Sequence, residues 1–468
     1  MKRLIIILLL GCSGCLGGYS GFSQTVYVSS STGNMIFGGT SMETPTNDLS
    51  NAVKKGKTVL LKAGDTFFVG SLDITGITLS RYGEGANPII CGYKRIKEPR
   101  WKEVEKNIWR LNLAEDNFTG MILKGSSTSN NICAFHDYEN DLIHGRKVWH
   151  KDEMKDDWDF WQTETLKGAK PAEFDNVYLY LTSDPNKLKL EMSVYDLALR
   201  VENAVVDGID FVGFGFGIAA KSHTQIRNCR LDAIGGRIIP ENNSYVCYGN
   251  GIEFYVSKTI ENCIVENCDI SRCYDCGVTI QGSRNSGARP RNIIIRNNRI
   301  HECCQGWEDF LRNGDDVVYE NCVFEKNTLW NNGNTTGFGY ALKRFKYCQV
   351  LGNNFDGNKG MIIRNNTFVG GNFYCSGAYK GEYKSNVWEG NTCVIKRGDF
   401  ILSNYGGTKD VIRIPTEKGN FKSLKAATDD AIRRYRELTG DETTEFIIKS
   451  ERRINRRINK LKKQYSLK

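Results

Sequence analysis

The chain has 468 residues, 40% of them hydrophobic and 25% charged, with 48 Gly and only eight Pro. Its formal charge of +9 sits at the ends: residues 445–468 hold nine Lys/Arg against two Glu, and Lys2 and Arg3 supply the remainder. The body between is near neutral, so composition gives no argument for binding nucleic acid or another polyanion.

Lys2 and Arg3 precede an apolar run over residues 4–10, the order of a secretory signal, so residues 1–23 predict export. Leu9-Leu10-Gly11-Cys12 resembles a bacterial lipobox, in which Cys12 would be lipidated and become the mature N-terminus. Gly21-Phe22-Ser23 before Gln24 is an alternative cleavage site. The first route predicts an outer-membrane lipoprotein, held to the membrane by that anchor alone; the second predicts a periplasmic or secreted protein. The apolar run is too short to span a bilayer.

Residues 24–95 read as a cap and first coils. A strand at Val26-Tyr-Val28 leads to a short amphipathic helix near residues 47–55, stopped by Gly56. Strands follow at 58–64, 77–83 and 88–90. Residues 96–195 break the rhythm and predict an inserted β-subdomain marked by Trp101, Trp109 and a strand at 178–180. Within it, 133–165 is a polar, aromatic loop holding His136, His144 and His150 with Trp149, Trp158 and Trp161. Exposed Trp rings stack on the apolar faces of sugars, which makes Trp158 and Trp161 candidate substrate contacts.

From 196 to 417 one phrase repeats: apolar-x-apolar, Asn, Asn or Cys, another residue, apolar. It reads Gln225-Ile-Arg-Asn-Cys-Arg-Leu231, Ile264-Val-Glu-Asn-Cys-Asp-Ile270, Ile294-Ile-Arg-Asn-Asn-Arg-Ile300, Val318-Tyr-Glu-Asn-Cys-Val-Phe324 and Ile362-Ile-Arg-Asn-Asn-Thr-Phe368. A degenerate copy is Val387-Trp-Glu-Gly-Asn-Thr-Cys393. Period-two alternation broken by a turn residue means strand, tight turn, strand. Its return every few dozen residues predicts a solenoid, a parallel β-helix in which Asn residues stack from coil to coil. A β-sandwich does not require the same turn residue in register. Of the 16 Cys, Cys229, Cys268 and Cys322 share one repeat position and read as small buried residues; Cys303–Cys304 and Cys273 with Cys276 could pair or stay free.

A second phrase, Gly then apolar-x-apolar, is another face of the same coil: 217–220, 251–254, 277–280, 306–309 and 339–342. If the residue after each Gly points inward, the next points outward. The outward column is then Ala219, Glu253, Thr279, Glu308 and Ala341, beside a second of Lys221, Tyr255, Gln281, Phe310 and Lys343. With coils ~4.8 Å apart, Glu253 and Glu308 stand roughly 10 Å apart. Two carboxylates roughly 6.5–9.5 Å apart suit inverting glycoside hydrolysis. Asp275 and Asp309 flank the patch, and Lys343 and Arg344 follow one coil on, placed to bind a uronate or act as a base.

The tail after 418 turns helical. Residues 423–438 form one helix ending near Gly440, and Ile447, Ile454, Ile458, Leu461 and Tyr465 predict an apolar stripe on a last, basic helix that docks on the solenoid.

The opening at 25–95 and the Asn phrases over 200–400 resemble right-handed parallel β-helix proteins of the pectate-lyase-like superfamily. Gly249-Asn-Gly-Ile-Glu-Phe254 and Tyr274-Asp-Cys-Gly-Val-Thr-Ile-Gln281 are similar to phrases of its bacterial, polysaccharide-active group. The resemblance implies an all-β, right-handed parallel β-helix with a small inserted subdomain and C-terminal helices. The superfamily includes glycoside hydrolases, polysaccharide lyases, epimerases and phage tailspikes, so it names no single reaction. Asp315-Asp316 and Arg344-Phe-Lys346 resemble two polygalacturonase signatures, but no Gly-His-Gly lies between them. A lyase would need calcium held by clustered Asp and a basic proton abstractor, for which Arg312, Lys343 and Arg344 are the candidates.

The expectation is therefore an exported, monomeric protein acting on a polysaccharide, with no nucleic-acid partner and no cofactor, calcium excepted for a lyase. Glycoside hydrolysis would use Glu253 and Glu308 as the acid–base pair with Asp275 in support. Tyr255, Gln281, Lys343, Arg344, Trp158 and Trp161 would contact substrate. The alternatives are a lyase or epimerase acting on a uronate-containing glycan, and a surface protein that binds glycan without cutting it.

Overall fold

The computed structural model describes residues 25–55, 57–96, 100–113, 134–148, 151–162, 176–241, 244–282, 287–311, 318–333, 348–353, 360–370, 372–376, 387–396, 401–403, 412–413 and 422–464. Cys12, Trp149, His150, Arg312, Asp315, Asp316, Lys343, Arg344, Tyr465 and the Gly phrase at 339–342 lie outside them.

Three sheets of ten strands each dominate. Sheet A runs from Thr25–Val28 to Val387–Glu389, sheet B from Thr66–Phe68 to Glu445–Ile448, and sheet C from Leu72–Thr75 to Ile412–Arg413. All neighbours within them are parallel except the last pair of sheet C. The chain visits the sheets in turn: Gln225–Arg227 in A, Arg230–Ile234 in B, Ile252–Tyr255 in C, then Ile260–Glu266 in A again. Ile226, Leu231 and Ile252, one from each sheet, belong to a single buried apolar cluster running the length of the arrangement. This is a solenoid-like stack whose core is shared by every coil.

The corner between sheets A and B explains the Asn phrase. Asn228, Asn267, Asn297 and Asn365 adopt left-handed backbone angles there, with φ of 53–57°, a conformation Asn tolerates better than most residues. Lys326 and Gly390 take the same position in two further coils, and the residue after the left-handed one turns inward. Asn298, Asn327, Asn366 and Asn391 are each about 1% exposed and form a continuous ladder. The Oδ1 of Asn327 accepts from the backbone N–H (2.9 Å) and Nδ2 (3.0 Å) of Asn298, and Asn366 serves Asn327 in the same way. Cys268 begins this run by donating its backbone N–H to Asn298 Oδ1 (2.9 Å).

One copy of the phrase falls elsewhere. Ile294 pairs with Val323 and Arg296 with Glu325, so the copy in register is 323–329, with Lys326 in the left-handed position (φ 55°). Asn321 instead belongs to the corner entering sheet A, where its Nδ2 donates to Asn292 (3.2 Å) and Asn292 donates to Asn262 (3.0 Å). Cys322 accordingly stacks with Cys263 and Ile293, not with Cys229 and Cys268. Cys91, Cys229, Cys263, Cys268, Cys273, Cys276, Cys303, Cys304, Cys322 and Cys393 are all buried.

The Gly phrase has a steric cause. A Cβ at Gly217 would lie 2.1 Å from the carbonyl oxygen of Gly251, and one at Gly251 would lie 2.5 Å from that of Gly277. The glycines stack too closely for any side chain.

At one end the helix Leu49–Lys55 buries Leu49, Ala52 and Val53 in the shared core. At the other, helix Leu424–Thr439 is capped by Ser423, whose Oγ accepts from Ala426 N–H (3.2 Å), and by left-handed Gly440. It places Ala431 and Tyr435 in that core. Ile447 is not on the last helix: it lies in the strand Glu445–Ile448 that extends sheet B. Helix Glu451–Gln464 buries only Ile454 and Leu461, which pack on Trp330, Val369 and Val394.

Between Tyr93–Arg95 and Leu190–Ser193 the chain builds a four-stranded and a five-stranded sheet. The five-stranded sheet and its neighbours share a core of Trp101, Leu111, Phe135, Phe160, Val177 and Leu179. Ser193 Oγ donates to Gly213 O (3.0 Å) and Arg272 to Asp141 O (3.2 Å), so this unit meets the solenoid along sheet B. Among the described residues no helix is long and apolar enough to cross a membrane.

Candidate active site

Sheet C carries the Gly phrases. Ile218, Ile252, Val278 and Trp307, each following a Gly, are fully buried in the core and aligned in successive strands. The next residues form the opposite column: Ala219, Glu253, Thr279 and Glu308, in register. After Glu308 the column continues to Leu351, not Ala341, because the following strand of sheet C is Cys348–Asn353. In the neighbouring column Tyr255, Gln281 and Phe310 align, and Asn353 holds the place expected of Lys343.

The column faces away from the core yet is nearly closed to solvent. Glu253 and Glu308 are each 6% exposed and Thr279 is fully buried. Tyr255, at 48%, is the open edge, with Asp275 and Gln281 half-buried. Asp309 alternates to the core side, level with Phe254 and Ile280, and is 2% exposed. It therefore does not share the face of Glu308.

The two glutamates turn toward the strand between them. Glu308 Oε2 accepts from Thr279 Oγ1 (3.0 Å). Glu253 Oε2 accepts from Asn250 Nδ2 (2.7 Å) and from Gln281 Nε2 on that same middle strand. Asp275 Oδ1 accepts from Gln305 Nε2 (3.0 Å). Desolvation pushes the Glu308 carboxyl well above the ordinary carboxylate range; the charges of Asp275, Glu253 and Asp309 push the same way, and the Thr279 hydrogen bond opposes them.

Asn250 and Gln305 had no assigned role in the sequence. Asn250 lies in Gly249-Asn-Gly251, which carries a fold signal, and its second contact, Oδ1 accepting from Cys276 N–H (3.2 Å), ties adjacent coils. Trp158 and Trp161 are half-buried away from sheet C. Trp158 stacks on His144 with centroids 3.8 Å apart, and Trp161 packs against Tyr178. The described residues of this loop meet the solenoid beside Arg272 and Asp232 of sheet B through their His136–Asp141 end. Among the described residues no group of three or more His, Cys, Asp or Glu is gathered for a metal ion.

No family model matches the chain, and no curated protein matches it. Among solved structures it is similar to the complex of XylC with xylose, at 11% identity and TM-score 0.45, covering 91% of this chain and 82% of that one. It is also similar to the GH136 lacto-N-biosidase of Eubacterium ramulus, at 11% identity and TM-score 0.33, covering 91% and 68%. A third is the tailspike gp49 of Acinetobacter baumannii bacteriophage Fri1, a capsular polysaccharide depolymerase, at 12% and 0.32, covering 82% and 59%. Overlays this loose assign neither activity nor substrate to the chain.

Proposed function

We propose that the coils close as a right-handed parallel β-helix and that the outward face of sheet C hydrolyses a glycosidic bond in a polysaccharide. One observation carries the reading: Glu253 and Glu308 lean from opposite sides onto one strand, at Gln281 and Thr279. Two strand spacings of ~4.8 Å would hold them roughly 10 Å apart. Leaning inward shortens that gap toward the roughly 6.5–9.5 Å of an inverting pair, where a water must fit between base and sugar.

The environments divide the roles. Glu308, desolvated beside other carboxylates, is pushed toward its protonated form and serves as general acid to the leaving oxygen. Glu253 accepts two amide hydrogens on one oxygen, which orients it as the base that activates water. Asp275, near enough to act on Glu308 by charge, supports the acid. Tyr255 offers an exposed ring at the open edge for a sugar. Export, as residues 1–23 predict it, would fit a substrate outside the cell.

The test is turnover. On a glycan that the wild type cleaves, Glu308→Gln and Glu253→Gln should each lower kcat by roughly 10²–10⁴-fold with the fold intact by circular dichroism. Unchanged turnover in both variants sinks the assignment. A second reading, binding without cleavage, is favoured by the 6% exposure of both glutamates. It predicts wild-type affinity for glycan with no change in product over time.

A further inference from the structure

Helix Glu451–Gln464 carries its charges in a pattern that works against its own stability. Arg452, Arg453, Arg456, Arg457, Lys460 and Lys463 are all exposed on it. At about 100° per residue these cations fall within an arc of about 140° and along about 17 Å of the axis. Ile454 and Leu461 lie outside that arc, packed on Trp330, Val369 and Val394. Arg452 and Arg453 stand in the first turn, where the helix dipole disfavours cations. Arg452 and Arg456, Arg453 and Arg457, and Arg456 and Lys460 are like-charged neighbours four residues apart, and each such pair is destabilising.

The preceding helix, Leu424–Thr439, is laced by opposite charges instead: Lys425 pairs with Asp429, and Arg433 with both Asp430 and Glu437. On Glu451–Gln464 the ion pairs belong to Lys462, with Glu302 (2.9 Å), and to Glu451, with Lys396 (3.7 Å). Among the described residues none of Arg452, Arg453, Arg456, Arg457, Lys460 and Lys463 pairs with a carboxylate. A row of uncompensated cations that costs the helix stability is complementary to a polymer carrying repeated anions. The apolar side of the helix is committed to the solenoid, so it lacks the free apolar face with which an interfacial helix enters a bilayer. It also covers the last coils, about 40 Å along the stack from Thr25–Val28, the end from which an anchor at Cys12 would leave. Export, as residues 1–23 predict it, favours a polysaccharide over a nucleic acid.

We infer that the exposed face of this helix binds an acidic polysaccharide, whose anionic groups lie along the row of Arg and Lys side chains. The choice of a polysaccharide rests on the function proposed above. The glutamates lie on sheet C and the helix on sheet B, so the helix holds the polymer and takes no part in cutting it.

Titration calorimetry of the full chain in the Glu308→Gln background, at low salt, with polygalacturonate, dextran sulfate and neutral dextran, tests it. At least one acidic polymer should bind about tenfold or more tightly than dextran. Replacing Arg452, Arg453, Arg456, Arg457, Lys460 and Lys463 together by Gln, a good helix former, should weaken that binding by about tenfold or more. The same variant should keep or raise Tm, because the like-charge repulsion leaves with the cations; a purely structural role for them would lower it. Equal binding of dextran, or acidic-polymer binding indifferent to the Gln variant, overturns the proposal. So does tighter binding to duplex DNA or to phosphatidylglycerol vesicles than to either acidic polymer, which would give the face to another partner. Acidic-polymer binding by a wild type that cleaves no glycan would count against the reading of sheet C and uphold this one.

Discussion

Glu308 shows how one side chain can link stability, pH and chemistry. Its raised pKa means that the fold favours the protonated form. The stability this contributes is complete below the unfolded value of about 4.3 and is lost as pH rises through the folded value. Glu308→Gln, uncharged at every pH, should remove that loss, so the Tm of the variant should decline less than that of wild type as pH rises above about 4.3. His136 and His301, each held up to about 9, lose stability in the same direction as pH rises. They do so in both proteins, and the difference between the two melting curves isolates Glu308. Parallel curves would mean that the carboxyl is ionised in the fold and cannot be the acid. The same titration should set the alkaline limb of activity: kcat falls as the proton leaves Glu308.

The Asn corners predict a graded response to substitution. Asn327 is buried and its Oδ1, Nδ2 and backbone N–H are all engaged, to Asn298, Ile295 and Asn366. Asn327→Ala strands donors and acceptors in two coils and should cost about 2–4 kcal/mol in chemical denaturation. Asn321 is at an exposed corner with one side-chain bond at 3.2 Å, and Asn321→Ala should cost about 1 kcal/mol, mostly for its left-handed backbone. Equal costs would contradict the assignment of the two residues to different corners. That assignment was the part of the coil the sequence could not resolve. Asn-Cys stands at both corners, as Asn228-Cys229 and Asn267-Cys268 in one and as Asn262-Cys263 and Asn321-Cys322 in the other, because each needs a left-handed residue and then a small buried one. Only the pairing of Arg296 with Glu325 tells them apart. The glutamate column was legible because stacked glycines fix the register of sheet C without ambiguity from Gly217 to Gly306. The amide partners Asn250 and Gln305 were not, since a contact between coils depends on rotamers that no periodicity encodes.

The outer face of sheet B is covered twice. One column runs Asp232, Ser271, His301, Trp330, Val369 and Val394. Its first part faces the inserted unit through Arg272 and Asp232, and its last part lies under helix Glu451–Gln464. That helix has a charged surface and only Ile454 and Leu461 buried, with Lys462 reaching Glu302 (2.9 Å). Docking therefore rests on a few apolar side chains over Trp330, Val369 and Val394, while the glutamates lie on sheet C, in a different sheet of each coil. Leu461→Asp puts an uncompensated charge into that contact, at a cost of about 3–5 kcal/mol. The helix should release: hydrogen exchange should rise over Thr367–Val369 and Thr392–Ile395, and trypsin should cut at its Arg and Lys residues first. Glycan turnover, if it resides on sheet C, should persist in the released form, because no residue of the column between Ala219 and Glu308 packs against this helix in the buried cluster that holds it. Turnover lost together with the helix would place the chemistry, or its support, on the sheet B side of the coil.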